Sequence, residues 1–431
     1  MPHVLRWLIG LATSLIGNHI YLVTLAWVAV QTTSPVNVGL ILVAGAIPQA
    51  ALLLIGGVFV DRIGPKRTII SSDVLRTVIM IVFAIVVAGG HVSPLLLAVL
   101  AVLFGLVDGF FLPAVNAAPR YLVPRNSITR VVAAKTIVAR GAEFAGAPLG
   151  SWLLVVASAA LAFWVNACLF AVSVVFLAIT RMAIPEKDTQ AHDTSSVAEP
   201  TSNQPVMSVW ADLRAGIRLI RGYPTLTTLL IVVFVVEMGF SGPIMAGVPL
   251  LANETGWGVR TIGWVLGGFG LGAAVAAGLL LWRKNVRQTG FVALSGLLAM
   301  ALSVLGLGLL PALGLPTSTA FTAAGFLGFC SGLGAGFYGT LVTSAVLQLA
   351  PVGQIGRVMS ALSFSSLAAV PITYALTGLV TNVSNAQVPF VIGGALMLVV
   401  AALAFANPQL RHLTVGATAH AKEPSNQSLP G

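Results

Sequence analysis

The chain has 431 residues, 57% hydrophobic and only 8% charged, against about a quarter charged in an ordinary soluble domain. With a mean hydropathy of +0.98, this excludes a soluble globular enzyme, a disordered chain and a nucleic-acid-binding protein. The net charge of +10, from 22 Lys+Arg against 12 Asp+Glu, therefore needs another explanation. Cys168 and Cys330 both sit in apolar runs, so there is no disulfide framework and no zinc-ligand spacing.

A bilayer-spanning helix needs about 20 apolar residues. Apolar runs divided by polar or Pro/Gly breaks predict helices at 7–30, 37–60, 68–89, 94–118, 129–156 and 159–181, then 225–252, 260–282, 290–311, 317–346, 355–381 and 386–407. The first run, Trp7 to Val30 after Arg6, is too long for a signal-peptide core and reads as an uncleaved span. The run 317–346 exceeds what a membrane requires, and its end is expected to leave the bilayer. Residues 1–183 thus form one six-helix bundle and 224–410 a second. Between them, 184–223 begin with a polar stretch rich in Ser, Thr, Asp, Glu and Pro, which reads as a flexible linker. Val209, Trp210, Leu213, Ile217 and Ile220 then alternate with charged residues at helical spacing, as in a helix lying on the membrane surface. Residues 411–431 read as a disordered cytoplasmic tail. The expected fold class is all-α integral membrane, with 12 transmembrane helices.

The charges set the orientation. Eighteen of the 22 Lys and Arg residues fall on the side of both termini, and only Arg260 falls in the opposite loops. Cytoplasmic loops carry the excess of Lys and Arg, so both termini are read as cytoplasmic, in a plasma membrane (the bacterial inner membrane). These cations meet lipid headgroups, which accounts for the net charge without nucleic acid. The halves also resemble each other. Leu122-Val-Pro124 with Arg130-Val131 recurs as Leu349-Ala-Pro351 with Arg357-Val358, an offset of 227 residues. Repeated halves place a substrate site at their interface near mid-membrane.

The loop between the second and third helices reads Gly57-Val-Phe-Val-Asp61-Arg62-Ile-Gly64-Pro65-Lys66-Arg67. It resembles the signature loop of the major facilitator superfamily, with Pro65 in place of one basic residue. Gly146-Ala-Pro148-Leu-Gly150 resembles a shortened form of the Gly/Pro motif of that family's antiporters. With Arg130, Pro351 and Gly356-Arg357-Val-Met-Ser360, nearly the whole chain is similar to the drug-efflux branch, which includes macrolide exporters and the enterobactin exporter. The resemblance implies that Gly57, Asp61, Arg62, Gly64, Lys66 and Arg67 form a conformational latch, Asp61 facing the start of the eleventh helix. It also implies that Gly146, Pro148 and Gly150 belong to an antiporter-like motif. Gly334-Ala-Gly336-Phe-Tyr-Gly339 matches a dinucleotide fingerprint only by letter, because it lies within a membrane helix. Glycines four apart, Gly263/Gly267, Gly268/Gly272, Gly328/Gly332 and Gly332/Gly336, point to close helix packing.

Ionisable side chains at membrane depth are costly and mark function. Asp108 lies about 21 Å along its helix from the outer end, at 1.5 Å per residue. Arg140, Glu143 and Glu237 lie near mid-helix. Glu237, Asp108, Glu143 and Arg140 are the proton-coupling candidates; a carboxyl withdrawn from water can take up and release a proton. Arg140 and Glu143, three apart, can also form a static ion pair, leaving Asp108 freer or competing for Arg140. Glu237 has no charged neighbour in its own helix. Asp73 and Arg76, also three apart, read as structural. Asn18, His19, Asn116, Phe234, Met238, Phe240, Trp264, Phe337 and Tyr338 are candidate lining of a substrate cavity. The expected protein is a non-enzymatic secondary transporter with no cofactor besides a proton gradient. Its partners are a small-molecule substrate, protons and the lipid bilayer, with no nucleic acid, and the chain is read as a monomer. It would export small amphipathic or cationic, drug- or macrolide-like compounds by alternating access. Export of a siderophore or biosynthetic metabolite is the alternative, and lipid transport or scrambling a more distant one.

Overall fold

The computed structural model describes residues 2–182, 223–282, 288–350 and 355–411, and these are almost wholly helical. The first half contains α1 (Pro2–Thr32), α2 (Pro35–Ile63), α3 (Pro65–Ala88), α4 (Pro94–Ala117), α5 (Ile128–Val156) and α6 (Ala159–Ala178). The second contains α7 (Pro224–Gly242), α8 (Arg260–Trp282), α9 (Thr289–Leu309), α10 (Thr317–Leu349), α11 (Ile355–Val383) and α12 (Val388–Ala406). From α7 the chain runs through a π-helical turn (Pro243–Gly247) into Val248–Glu254. These are the twelve helices expected, in two six-helix bundles, with ends shifted by a few residues. The surface helix expected around 209–221, most of the linker 184–223 and the tail from 412 lie outside the described residues.

The breaks between helices have local causes. Proline opens α2, α3, α4 and α7, where its missing N–H costs nothing. Ser93 and Ser158 cap α4 and α6 by accepting from Leu96 N and Leu161 N at 3.2 Å. Gly64 joins α2 to α3 at φ 90°, a conformation open to glycine but strained for other residues.

Among the described residues, eleven helices are long and apolar enough to cross a membrane. The twelfth, α5, spans 29 residues but carries Arg130, Lys135, Arg140 and Glu143. It packs on α1 of its own half and on α8 of the other, and Arg140 and Glu143 pair with each other, which lowers the cost of charge at that depth.

In lipid, hydrophobic burial does not draw helices together; close backbone packing does. The α8–α10 pair shows this. A Cβ on Gly268 would run into Gly325 O, on Gly272 into Phe329 O, and on Gly332 into Phe269 O. Nothing lies within 4 Å of a Cβ built on Gly278. Gly332→Val is therefore expected to cost at least the roughly 1–3 kcal/mol typical of overpacking, because the obstacle is backbone. The measurement is the folded fraction after detergent extraction: it should fall sharply for Gly332→Val and stay near wild type for Gly278→Val.

The halves meet along two seams, α5 against α8 and α2 against α11. Contacts across both seams lie toward the end away from the termini. A Cβ on Gly39 would lie 2.6 Å from Tyr374 O, and one on Gly378 2.5 Å from Pro35 O. Gly263 faces Ser151, and Gly267 faces Pro148 at 2.5 Å. Gln31 Nε2 donates to Asn253 Oδ1 at 2.7 Å, joining the last turns of α1 and the α7 extension. Toward the terminal end, Gly57, Gly64, Gly141 and Gly278 have nothing within 4 Å of a built Cβ. Among the described residues the halves thus touch closely at one end, and no such close glycine contact joins them at the end that carries the termini.

Candidate functional site in the space between the halves

The first-half wall is built on α1 and α5. Gly146 and Gly150 admit α1 closely: their Cβ positions would lie 2.6 Å from His19 Cβ and 3.1 Å from Ile20 Cα. Pro148, on the other face of α5, packs against Gly263 and Gly267 of α8. The Gly146-Ala-Pro148-Leu-Gly150 stretch is therefore the piece of α5 that touches both its own bundle and the opposite one. One turn earlier, Arg140 Nη1 donates to Glu143 Oε2 at 2.8 Å, with the arginine side chain 42% and the glutamate 19% exposed. His19 lies close enough to feel both charges. Asn18 Oδ1 is buried without a partner among the described residues.

The second-half wall holds Glu237 on α7. Ser241, one turn on, donates to Glu237 Oε2 at 2.5 Å. No cation among the described residues pairs with this carboxyl. Tyr338 of α10 and Tyr374 of α11 both lie within electrostatic reach of it, and the Tyr338 hydroxyl is buried without a partner among the described residues. Phe240 leans on Phe269 of α8 with ring centroids 5.6 Å apart. Phe234 and Met238 are half-buried on the same helix. Met238 O accepts from Thr373 Oγ1 at 2.8 Å, tying α7 to α11 at the residue next to Glu237.

Other expected residues fall elsewhere. Phe337 packs α10 against Gly296 of α9, and Tyr338 borders a small apolar cavity between α7, α9 and α10. Both belong to the interior of the second bundle more than to the space between bundles. Asn116 is exposed, its Oδ1 accepting from Lys135 Nζ at 2.7 Å, which joins α4 to α5. Trp264 is 55% exposed in a groove of about 660 Å³ with Phe144, Pro148, Trp152 and Phe326. No residue of α1, α2, α4, α7 or α11 lines it, so the groove flanks the α5–α8 seam and does not lie between the carboxyls.

Asp108 does not reach for Arg140. Arg76 Nη2 contacts Asp108 Oδ1, while Arg76 Nη1 donates to Asp73 Oδ1 at 3.0 Å. The sequence pairs Asp73 with Arg76 by spacing but gives no sign of the third member, because that contact depends on how α4 packs on α3. In the loop resembling the family signature, Arg62 and Arg67 are exposed, and Lys66 Nζ donates to Ala178 O at 2.9 Å, binding the loop to α6. The Asp61 side chain and residues 351–354, where the expected latch partner begins, lie outside the described residues.

Comparison with known proteins agrees with this architecture. The family model described as Major Facilitator Superfamily matches residues 7–365. The chain is similar to the multidrug efflux pump Tap of Mycolicibacterium fortuitum, 24% identical over 406 residues, which cover 92% of this chain and 93% of that one. It is also similar to the uncharacterized MFS-type transporter YfiS of Bacillus subtilis (strain 168), 24% identical over 374 residues, covering 85% and 83%. Among solved structures, the nucleoside transporter NupG superposes with a TM-score of 0.69 at 14% identity, covering 94% of this chain and 98% of that one. A D-xylose-proton symporter gives 0.67 at 13% identity, covering 96% and 98%. At such identities the structures speak for the fold alone. With a matching family model over most of its length and the two-bundle fold to go with it, the chain belongs to the major facilitator superfamily: it is a multi-pass membrane transporter of small molecules and not an enzyme.

Proposed function

We propose that the protein is a proton-coupled exporter of small amphipathic or cationic compounds, working by alternating access between its two halves. The observation that carries this reading is Glu237: a carboxyl at mid-membrane, held by Ser241 alone, with no cation among the described residues to neutralise it. A buried charge without a partner is costly, so this carboxyl favours either a proton or a cationic substrate. Competition between the two at one group is the simplest form of antiport. Efflux as the direction is supported by the similarity to Tap. The Lys and Arg distribution supports both termini being cytoplasmic. The end without those close contacts then faces the cytoplasm of a bacterial inner membrane, where an exporter loads. No cofactor is needed beyond the proton gradient, and one chain forms the whole path.

The test is substrate-induced proton movement in inside-out vesicles, read with a pH-sensitive dye against a panel of lipophilic cations and macrolides. A compound that collapses an imposed gradient only when the protein is present supports antiport and names a substrate class. No response across the panel from folded protein would overturn drug efflux, and a siderophore, biosynthetic metabolite or lipid would be tried next.

A further inference from the structure

Inside the first bundle, two carboxyls share one arginine. Arg76 is 1% exposed, Asp73 0% and Asp108 8%. The guanidinium carbon lies 3.9 Å from the Phe111 ring centroid, 5.2 Å from that of Phe104 and 5.5 Å from that of Phe170. Aromatic rings thus surround the guanidinium inside the bundle, where charge that is not balanced is least tolerated. With both carboxyls ionised the cluster carries one net negative charge; with one proton it is neutral.

The hydrogen bonds separate the two acids. Asp73 accepts three: from Arg76 Nη1 at 3.0 Å and Ser14 Oγ at 2.9 Å on Oδ1, and from Ser173 Oγ at 2.6 Å on Oδ2. A carboxylate anion is an acceptor only, and this is the donor set it needs. Asp108 has the Arg76 contact on Oδ1, and its Oδ2 has no partner among the described residues.

We propose that this cluster is a proton-binding site, in which Asp73 is the carboxylate paired with Arg76 and Asp108 carries the proton at neutral pH. Oδ1 of Asp108 accepts from the guanidinium as a carbonyl oxygen, and Oδ2 holds the proton. The elements packed around it supply few rivals. From α1 come Ser14 and Tyr21, whose ring stacks on Phe104 at 3.7 Å. From α6 comes Ser173, in a helix without charged residues. Lys66 of α3 is engaged at the end of α6, and Arg62 of α2 is exposed. Lys135 of α5 is engaged by Asn116, eight residues and about 12 Å along α4 from Asp108. Arg76 is thus the one cation among the described residues that pairs with these acids. Losing the proton leaves two anions on one guanidinium and an unbalanced negative charge between α3 and α4, which favours rearrangement of that contact; α4 in turn packs on α2, which meets the second half at α11. The coupling role rests on the proton-coupled reading proposed above and gives the transporter one acid in each half. The presence of the proton does not rest on it.

The test is infrared spectroscopy of the wild-type protein in bilayers, unlabelled and with 13C at the aspartate carboxyl. At neutral pH a protonated-carboxyl band should shift with the label, vanish in Asp108→Asn, and persist in Asp61→Asn and Glu237→Gln. A folded wild-type protein without a label-sensitive protonated band overturns the site, as does a band that survives Asp108→Asn. Absence of the band from folded wild-type protein is decisive by itself, so the proposal stays falsifiable even if Asp108→Asn does not fold. A label-shifted band in a protein whose substrate moves no protons would keep the site and refute the coupling.

Discussion

Replacing Glu237 with glutamine should leave a folded protein whose substrate affinity no longer changes with pH. Glutamine keeps the size of the side chain and can still bond Ser241 Oγ, now 2.5 Å from Glu237 Oε2, but it neither ionises nor releases a proton. It imitates the protonated acid permanently. If proton and substrate compete at this group, their coupling free energy falls in the usual span of about 1–3 kcal/mol, roughly 5–150-fold in affinity. The wild-type protein should therefore bind a cationic substrate more tightly as pH rises, by a factor in that span. Glu237→Gln should lose the dependence and drive proton movement at least about tenfold more weakly. Titrating substrate binding at acidic and alkaline pH checks the first statement, and the vesicle assay checks the second. Undiminished proton-coupled export in the variant would remove Glu237 from the mechanism and leave it a hydrogen-bonded structural acid.

The arrangement behind this expectation was only partly readable beforehand. Helix count and extent follow from where apolar runs break, since a bilayer demands uninterrupted helices and closes every other option. Even α5, the least apolar, is bounded by polar breaks, and its Gly146 and Pro148 belong to a recognisable motif. Their reason needed the structure: the glycines seat α1 and the proline seats α8. Which way a side chain points was far less legible. In a soluble helix the polar face identifies the core by contrast, whereas here the lipid face and the packed face are both apolar. Trp264 is therefore indistinguishable in sequence from a cavity residue, although it lies on the flank of the seam. Pairings within one helix, such as Arg140 with Glu143, are set by helical spacing and were legible. Asp108 with Arg76 bridges two helices and was not.

Locking the closed end should stop transport almost completely. Gln31 and Asn253 touch across the two halves at 2.7 Å, at the end where Gly39 and Gly378 also bring α2 and α11 into backbone contact. Rocking of the halves must part these groups once per cycle. With Cys168 and Cys330 replaced by serine, Gln31→Cys with Asn253→Cys should be joined by a short, cleavable bifunctional thiol reagent. Transport should disappear on joining and return on cleavage. Gly39→Leu should push the other way. Its side chain has no room beside Tyr374 O, so the closed end loses roughly the 1–3 kcal/mol of an overpacked contact, and the ratio of open to closed shifts by about 5–150-fold. A cysteine at position 31 should then react faster with a membrane-impermeant maleimide added from that side. If the joined protein still transports, or if Gly39→Leu does not change the labelling rate, the Gln31–Asn253 contact does not belong to a gate that opens. The halves would then have to exchange substrate without parting at this end, which is incompatible with alternating access around a site that holds Glu237.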